Sequence, residues 1–228
     1  MRVMFESVMI VKTNILDTIL ESSVKKHATS VTHDVTWHSF SLTRAQREER
    51  NGHRGKVVWL TGLPGAGKST IAHAVEAKLH RSGLQTVVLD GDNIRHGLCS
   101  DLGFSIADRN ENMRRVGEVA KLFLEQGMLV FVALVSPVRS AREQIRALLP
   151  AGDFIEIYCS CPLEVCRQRD PKGLYAKAER GLIPEFTGIS SPYDAPLDPA
   201  LTLHTGHESI DESVERLTQF LRDRLQLS

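Results

Sequence analysis

The sequence predicts an α/β fold: a parallel sheet flanked by helices, with a mobile lid segment over one edge. Three observations carry this. Strand-like apolar runs alternate with helix-like segments from Lys56 onward, the signature of a parallel sheet with crossover helices. A G-x-x-x-x-G-K-[ST] loop, Gly62-Leu63-Pro64-Gly65-Ala66-Gly67-Lys68-Ser69-Thr70, directly follows the first of those runs. A proline- and glycine-rich stretch from about 170 to 199 is too long for a simple connection. Such a stretch is a lid or a disordered loop, and beside a phosphate site the lid is favoured.

Taken in order, residues 1–32 carry no clear periodicity. An amphipathic helix, a disordered extension and sequence upstream of the true start are all open there, and no function is assigned. Residues 33–228 are read as one domain, as a chain of 228 residues with 42% hydrophobic and 25% charged content allows. Strands are expected at 57–61, 86–90, 128–135 and 154–159, with a weaker one at 201–204. After the loop, Ile71-Ala72-His73-Ala74-Val75 begins a helix. Met113, Val116, Ala120, Phe123 and Leu124 keep helical spacing, as do Ile210, Val214, Leu217 and Leu221. Ser209 and Glu212 form the capping box that opens this last helix. Ser136 reads as an N-cap, with Pro137 in the first position of a helix at 138–149.

Composition narrows the function classes. Lys plus Arg and Asp plus Glu balance at 28 each, so no global field draws the chain to nucleic acid or an anionic membrane, and neither is expected as a partner. Cys99, Cys159, Cys161 and Cys166 show neither a disulfide framework nor paired C-x-x-C metal spacing. Reduced, mostly buried thiols suit a cytoplasmic protein. No apolar run is long enough to span a membrane, and Glu6 and Lys12 break what would be a signal-peptide core.

The loop has a definite chemistry. Its glycines let the backbone turn its N–H groups toward a nucleotide's β-phosphate, and the following helix offers its positive end. Lys68 would reach the β- and γ-phosphates, and Ser69 would offer its hydroxyl to Mg²⁺. ATP or GTP binding follows. Asp90 and Asp92, in Asp90-Gly91-Asp92, sit where the second strand ends, on the edge that lines the ligand crevice of an open α/β sheet. One could hold Mg²⁺ and the other accept a proton from an attacking hydroxyl. The plainer reading is an Asp-Gly turn whose Asp caps a short helix.

Longer blocks are more specific. Asp90–Leu98, Asp101-Leu102-Gly103-Phe104-Ser105 and the run from Arg109 through Asn112 and Gly117 to Ala120 closely resemble the adenylylsulfate kinase family. So do Ser136-Pro137, Asp170-Pro171-Lys172-Gly173-Leu174-Tyr175 and Phe186-Thr187-Gly188-Ile189. The resemblance runs from near Trp37-His38, through Gly52-His53-Arg54-Gly55, to Pro196.

It implies a P-loop NTPase fold and transfer of the γ-phosphoryl of ATP to the 3′-hydroxyl of adenosine 5′-phosphosulfate (APS). The products are 3′-phosphoadenosine 5′-phosphosulfate and ADP, Mg²⁺ is required, and the role is sulfate assimilation. By this resemblance Lys68 and the loop hold the donor, Ser69 and Asp90 the metal, and Asp92 orients or deprotonates the hydroxyl, the two Asp roles being interchangeable at this stage. Arg95, Arg109 and Asn112 line the phosphosulfate site, Phe104 and Phe186 stack on adenine, and Lys172 contacts phosphates. Arg109 could instead be surface charge, since Asp108 and Glu111 also read as a helix start, and either Phe could be core. Ser136 is marked by the family as a proposed phosphoserine intermediate, against its plainer reading as a cap.

The lid departs from the family pattern. Ala176-Lys177-Ala178-Glu179 stands where Lys-Lys-Ala-Arg is usual, Pro184-Glu185 where Lys-Asn is common, and Ser190 where Asp is usual. Its positive charge is reduced, leaving Lys172 and Lys177. A homodimer and association with ATP sulfurylase are both open. The alternatives are another small-molecule P-loop kinase, such as one for gluconate or a nucleoside monophosphate, and a non-catalytic nucleotide-binding regulatory module. The first would lack the Asp90–Leu98 block, and the second would have a decayed phosphate loop.

Overall fold

The computed structural model describes residues 36, 38 and 40–225. The expected extension at 1–32 lies outside them. Leu42–Ser228 forms one compact unit. Its strands are β1 (Lys56–Thr61), β2 (Thr86–Asp90), β3 (Leu129–Ala133), β4 (Phe154–Cys159) and β5 (Leu201–Leu203). Its helices are α1 (Arg44–Asn51), α2 (Lys68–Arg81), α3 (Gly91–His96), α4 (Ile106–Glu125), α5 (Arg139–Leu148), α6 (Leu163–Arg169), α7 (Leu174–Glu179) and α8 (Ile210–Leu225).

Among the described residues the strands pair in parallel in the order β2-β3-β1-β4-β5. β1 is therefore central, with β3 on one side and β4 on the other, and the chain leaving β1 enters the crevice where the connections diverge. That exit is the phosphate loop. Alternation along the strands explains the rest of the layer plan. Val58, Leu60, Phe131, Ile155 and Ile157 face α2 and α8, where they pack with Ile71, Val75, Leu79, Leu217 and Leu221. Val57, Trp59, Val130, Val132 and Phe154 face the other way, onto Met113, Val116, Ala120 and Leu124 of α4 and Ile145 of α5. With both faces covered, the strands are apolar throughout, each fully buried side chain contributing about 1.5–3 kcal/mol.

Several boundaries differ from expectation. β3 stops at Ala133 and β5 at Leu203. After Leu134, whose N–H donates to the Leu60 carbonyl at 3.3 Å, the backbone leaves the ladder and Ser136 takes a φ of 41°. Ser136 is not an N-cap, and Pro137 is not the first helical residue: α5 begins at Arg139, with Val138 before it making no side-chain cap. The Ser136 hydroxyl is already committed, accepting from the Trp59 indole N–H at 3.1 Å and donating to the Leu134 carbonyl at 3.3 Å. α4 starts at Ile106 rather than near Asp108, because Ser105 Oγ accepts from the Asp108 N–H at 3.1 Å. The capping box of α8 is present as read, with the Ser209 N–H donating to Glu212 Oε2 at 2.7 Å and the Glu212 N–H to Ser209 Oγ at 3.2 Å. All four cysteines are free and buried. Among the described residues, no helix is long and apolar enough to cross a membrane.

Candidate active site

A cavity of about 840 Å³ opens at the carboxyl ends of β1, β2 and β3. Its first wall is the phosphate loop. Gly62 has a φ of 152°, and a Cβ there would lie 2.6 Å from the Cys159 carbonyl oxygen, so the backbone approaches β4 as only glycine allows. Gly67, at a φ of 87°, turns the chain into α2. Lys68 is the first residue of that helix and is 7% exposed. Its Nζ donates to the Gly62 carbonyl at 2.9 Å and the Leu63 carbonyl at 2.8 Å, curled back into the loop it serves. Burial pushes its ammonium from the usual 10.5 down to about 8. Ser69 and Thr70 line the cavity beside it.

Asp90 caps the short helix, as its plainer reading has it, and also faces the cavity. Its Oδ1 caps α3 by accepting from the Asp92 N–H at 3.0 Å, yet the side chain is buried and lines the cavity. Its Oδ2 lies 4.0 Å from His73 Nε2. Among the described residues no group of three or more His, Cys, Asp and Glu could hold a metal ion. The Ser69 hydroxyl and Asp90 carboxylate are a small, hard-oxygen donor set, which fits a Mg²⁺ whose remaining ligands are nucleotide phosphates and water. Asp92 is exposed and forms an ion pair with Lys172 of the lid.

The opposite wall gathers the residues expected around an acceptor. Phe104 is half exposed, with the Arg95 guanidinium 4.3 Å and the Arg109 guanidinium 5.6 Å from its ring centre. Backbone carbonyls aim both arginines: Arg95 Nη1 donates to Gly103 O at 2.8 Å, Arg109 Nε to Phe104 O at 2.7 Å and Arg109 Nη2 to Glu185 O at 3.1 Å. Burial lowers the pKa of Arg95; burial and the neighbouring Arg95 lower that of Arg109. Two guanidiniums crowded together with no carboxylate bonded to either favour an anion between them. Asn112 is 3% exposed and its Nδ2 has no hydrogen-bond partner among the described residues.

Phe186 is core, one of the two readings made of it, and it also faces the cavity. It is 6% exposed, meets Tyr175 edge to face at 5.0 Å, belongs to the core beneath α2, and still lines the cavity. Lys172, Tyr175 and Phe186 bring the 170–199 segment onto the site, and the Tyr175 hydroxyl donates to the Pro64 carbonyl of the phosphate loop at 2.9 Å.

Several lining residues escaped the sequence reading. Thr187 is 1% exposed, and its Oγ1 also lacks a partner among the described residues. Arg169, Thr205 and Ser213 line the end near α8, with Arg169 Nη2 donating to the Thr205 carbonyl at 2.6 Å. No local motif marks them. Ser136, at a φ outside the usual range for a non-glycine residue and 3% exposed, forms part of the floor. Such backbone costs about 1–3 kcal/mol and persists only where the surroundings fix it. Here Arg142 Nη1 donates to its carbonyl at 2.7 Å.

Comparison with known proteins agrees with this geometry. The family model for adenylylsulphate kinase matches residues 54–204. An adenylyl-sulfate kinase of Acaryochloris marina is 55% identical over 191 residues, covering 84% of this chain and 93% of the relative. Among solved structures, the Mycobacterium tuberculosis APS kinase CysC in complex with AMPPNP and APS is 50% identical, with a TM-score of 0.70, covering 75% of this chain and 99% of that one. A hexameric APS kinase from Thiobacillus denitrificans is 31% identical with a TM-score of 0.60, covering 81% of this chain and 33% of that one.

Proposed function

The chain belongs to the adenylylsulphate kinase family, and from that premise we propose how its cavity works. It is an ATP-dependent phosphotransferase of sulfate assimilation, moving the γ-phosphoryl of ATP to the 3′-hydroxyl of APS and yielding 3′-phosphoadenosine 5′-phosphosulfate and ADP. The observation that carries the residue assignments is the joining, in one cavity, of a phosphate loop and a wall with paired arginines and two unpartnered buried polar atoms.

Phosphoryl transfer requires positioning and charge neutralisation more than covalent chemistry from the protein. The loop amides and Lys68 hold the β- and γ-phosphates, Lys68 exchanging its two loop carbonyls for phosphate oxygens. Ser69 and Asp90 would hold Mg²⁺, which when bound neutralises charge on those phosphates. Arg95 and Arg109 grip the anionic phosphosulfate, Phe104 and Phe186 bracket the acceptor's base, and Asn112 and Thr187 supply the buried polar contacts. Asp92, at the start of α3 between the two walls, orients the 3′-hydroxyl and takes its proton, and Lys172 moves from Asp92 to the transferring oxygens. Arg169, Thr205 and Ser213 border the donor's nucleoside.

Domain limits of 33–228, a cytoplasmic setting and a self-associating chain complete the reading. The hexameric relative supports self-association, whereas ATP sulfurylase enters only as the class of enzyme that supplies APS. The test is ADP release from ATP by the purified chain with and without APS. Release only with APS is expected; equal release without it, or with gluconate in its place, would sink the reading.

A further inference from the structure

A buried polar cluster behind Ser136 is unused by the reaction described above. Arg142 of α5 is 1% exposed and spends its whole guanidinium on three partners. Its Nε donates to Glu156 Oε1 on β4 at 2.7 Å, Nη1 to the Ser136 carbonyl at 2.7 Å, and Nη2 to the Asp194 carbonyl at 2.8 Å. The same stretch is tied down around it. The Asp194 N–H donates to the Pro137 carbonyl at 2.8 Å, and Arg139 Nη2 donates to the Ala195 carbonyl at 3.1 Å. The Tyr193 hydroxyl shares a 2.9 Å hydrogen bond with Thr61 Oγ1, at the last residue of β1 before the phosphate loop.

A buried Arg–Glu pair is costly to desolvate and is often no more stable than apolar packing of the same volume. Stability alone is thus a poor reason for this cluster, and its partners suggest another. Two of the three are backbone carbonyls from segments far apart in sequence, one in the cavity floor and one near the trailing end of the 170–199 segment that carries Lys172, Phe186 and Thr187. We propose that Arg142 is a positioning residue: it fixes the trailing end of the lid segment to the Ser136 turn and so sets the acceptor wall relative to the phosphate loop. The inference rests on the acceptor site proposed above, whose own failure shows in the wild type as ADP release indifferent to APS.

Arg146 supplies the control. It donates to the other oxygen of Glu156 at 2.8 Å but is half exposed and, among the described residues, bonds to neither Ser136 nor Asp194. In R142K, measured well below its melting temperature, kcat/KM for APS is expected to fall about tenfold or more while the Kd for a non-hydrolysable ATP analogue stays within about twofold of wild type. R146A should leave both unchanged. E156Q should lower the melting temperature yet keep kcat/KM for APS within about threefold, because the guanidinium retains its two carbonyl partners. A folded R142K with wild-type kcat/KM for APS, or one whose loss only matches that of R146A, would overturn the proposal. Should R142K not fold, Y193F carries the test: it removes only the Thr61 bond at the same lid end, and a severalfold loss in kcat/KM for APS with unchanged analogue binding is expected. Unchanged kcat/KM there would overturn it equally.

Discussion

The proposed donor wall of the cavity comes from one strand-to-helix turn, Gly62 to Thr70, while the proposed acceptor wall draws Arg95 from α3, Phe104 from the segment before α4, Arg109 and Asn112 from α4, and Phe186 and Thr187 from the lid segment. The first is made largely of backbone, held by glycine conformations that no other residue adopts cheaply. The second is made of side chains, of which Arg95 and Arg109 are aimed by backbone carbonyls and Phe186 by its packing on Tyr175. Local sequence can therefore specify a phosphate loop by itself, whereas the proposed acceptor wall exists only once the fold has brought four segments together. The two walls should fail differently when altered.

The largest effect is expected at the donor wall. Lys68→Ala removes a buried ammonium proposed to leave the loop carbonyls for phosphate oxygens, and turnover should fall at least about 10²-fold with the fold intact by circular dichroism. A variant turning over near the wild-type rate would remove Lys68 from the reaction and with it the distinction between the walls.

Next come the two phenylalanines. Phe186→Ala deletes a buried ring against Tyr175 and should destabilise the chain by about 3–5 kcal/mol in urea unfolding. Phe104→Ala, half exposed, should barely change stability but weaken acceptor binding by about 1–3 kcal/mol. Equal stability losses in the two would show that Phe104 is core after all.

Ser136→Ala tests the floor between the walls. It leaves the buried Trp59 indole N–H without its acceptor, at a cost of about 1–3 kcal/mol in stability. Direct in-line transfer predicts retained activity and inversion at a chiral γ-phosphorus. An inactive variant with overall retention would make Ser136 a phosphorylated intermediate.

The smallest effect is on pH. Because the Lys68 pKa is lowered to about 8 in the free chain, a phosphate in the loop must restore its proton above that pH. The Kd of a non-hydrolysable ATP analogue should rise from pH 8 to 9.5, by at most about tenfold per unit, with proton uptake measurable by calorimetry in buffers of different ionisation enthalpy. A flat profile would show that Lys68 stays charged throughout.

This division also governs how much could be read in advance. The parallel sheet followed from strand-length apolar runs, and the phosphate loop from spacing alone. Asp90 was placed on the right edge because strand ends line the crevice, and its capping role was visible in the Asp-Gly pair. Ser136 misled, since Ser-Pro before a helix is a common cap, and nothing local reveals that its hydroxyl is taken by Trp59, seventy-seven residues earlier in the chain. Arg142, Glu156 and Asp194 carry no local signal either; only the β1–β4 pairing and the return of the lid bring the Arg142 guanidinium onto Glu156 and the Asp194 carbonyl. Thr187 stands in the Phe186–Ile189 block without a role readable from it, and Arg169 carries no local signature; Thr187 stands out by its burial, and both by the cavity they line.

The separation of the two walls is tested most directly by calorimetric titration of Arg109→Ala with a non-hydrolysable ATP analogue and, separately, with APS. The account predicts analogue binding within about twofold of wild type and APS binding weakened at least about tenfold, the loss expected when a guanidinium partner of an anion is removed. Equal weakening of both ligands, or loss of the analogue alone, would contradict it.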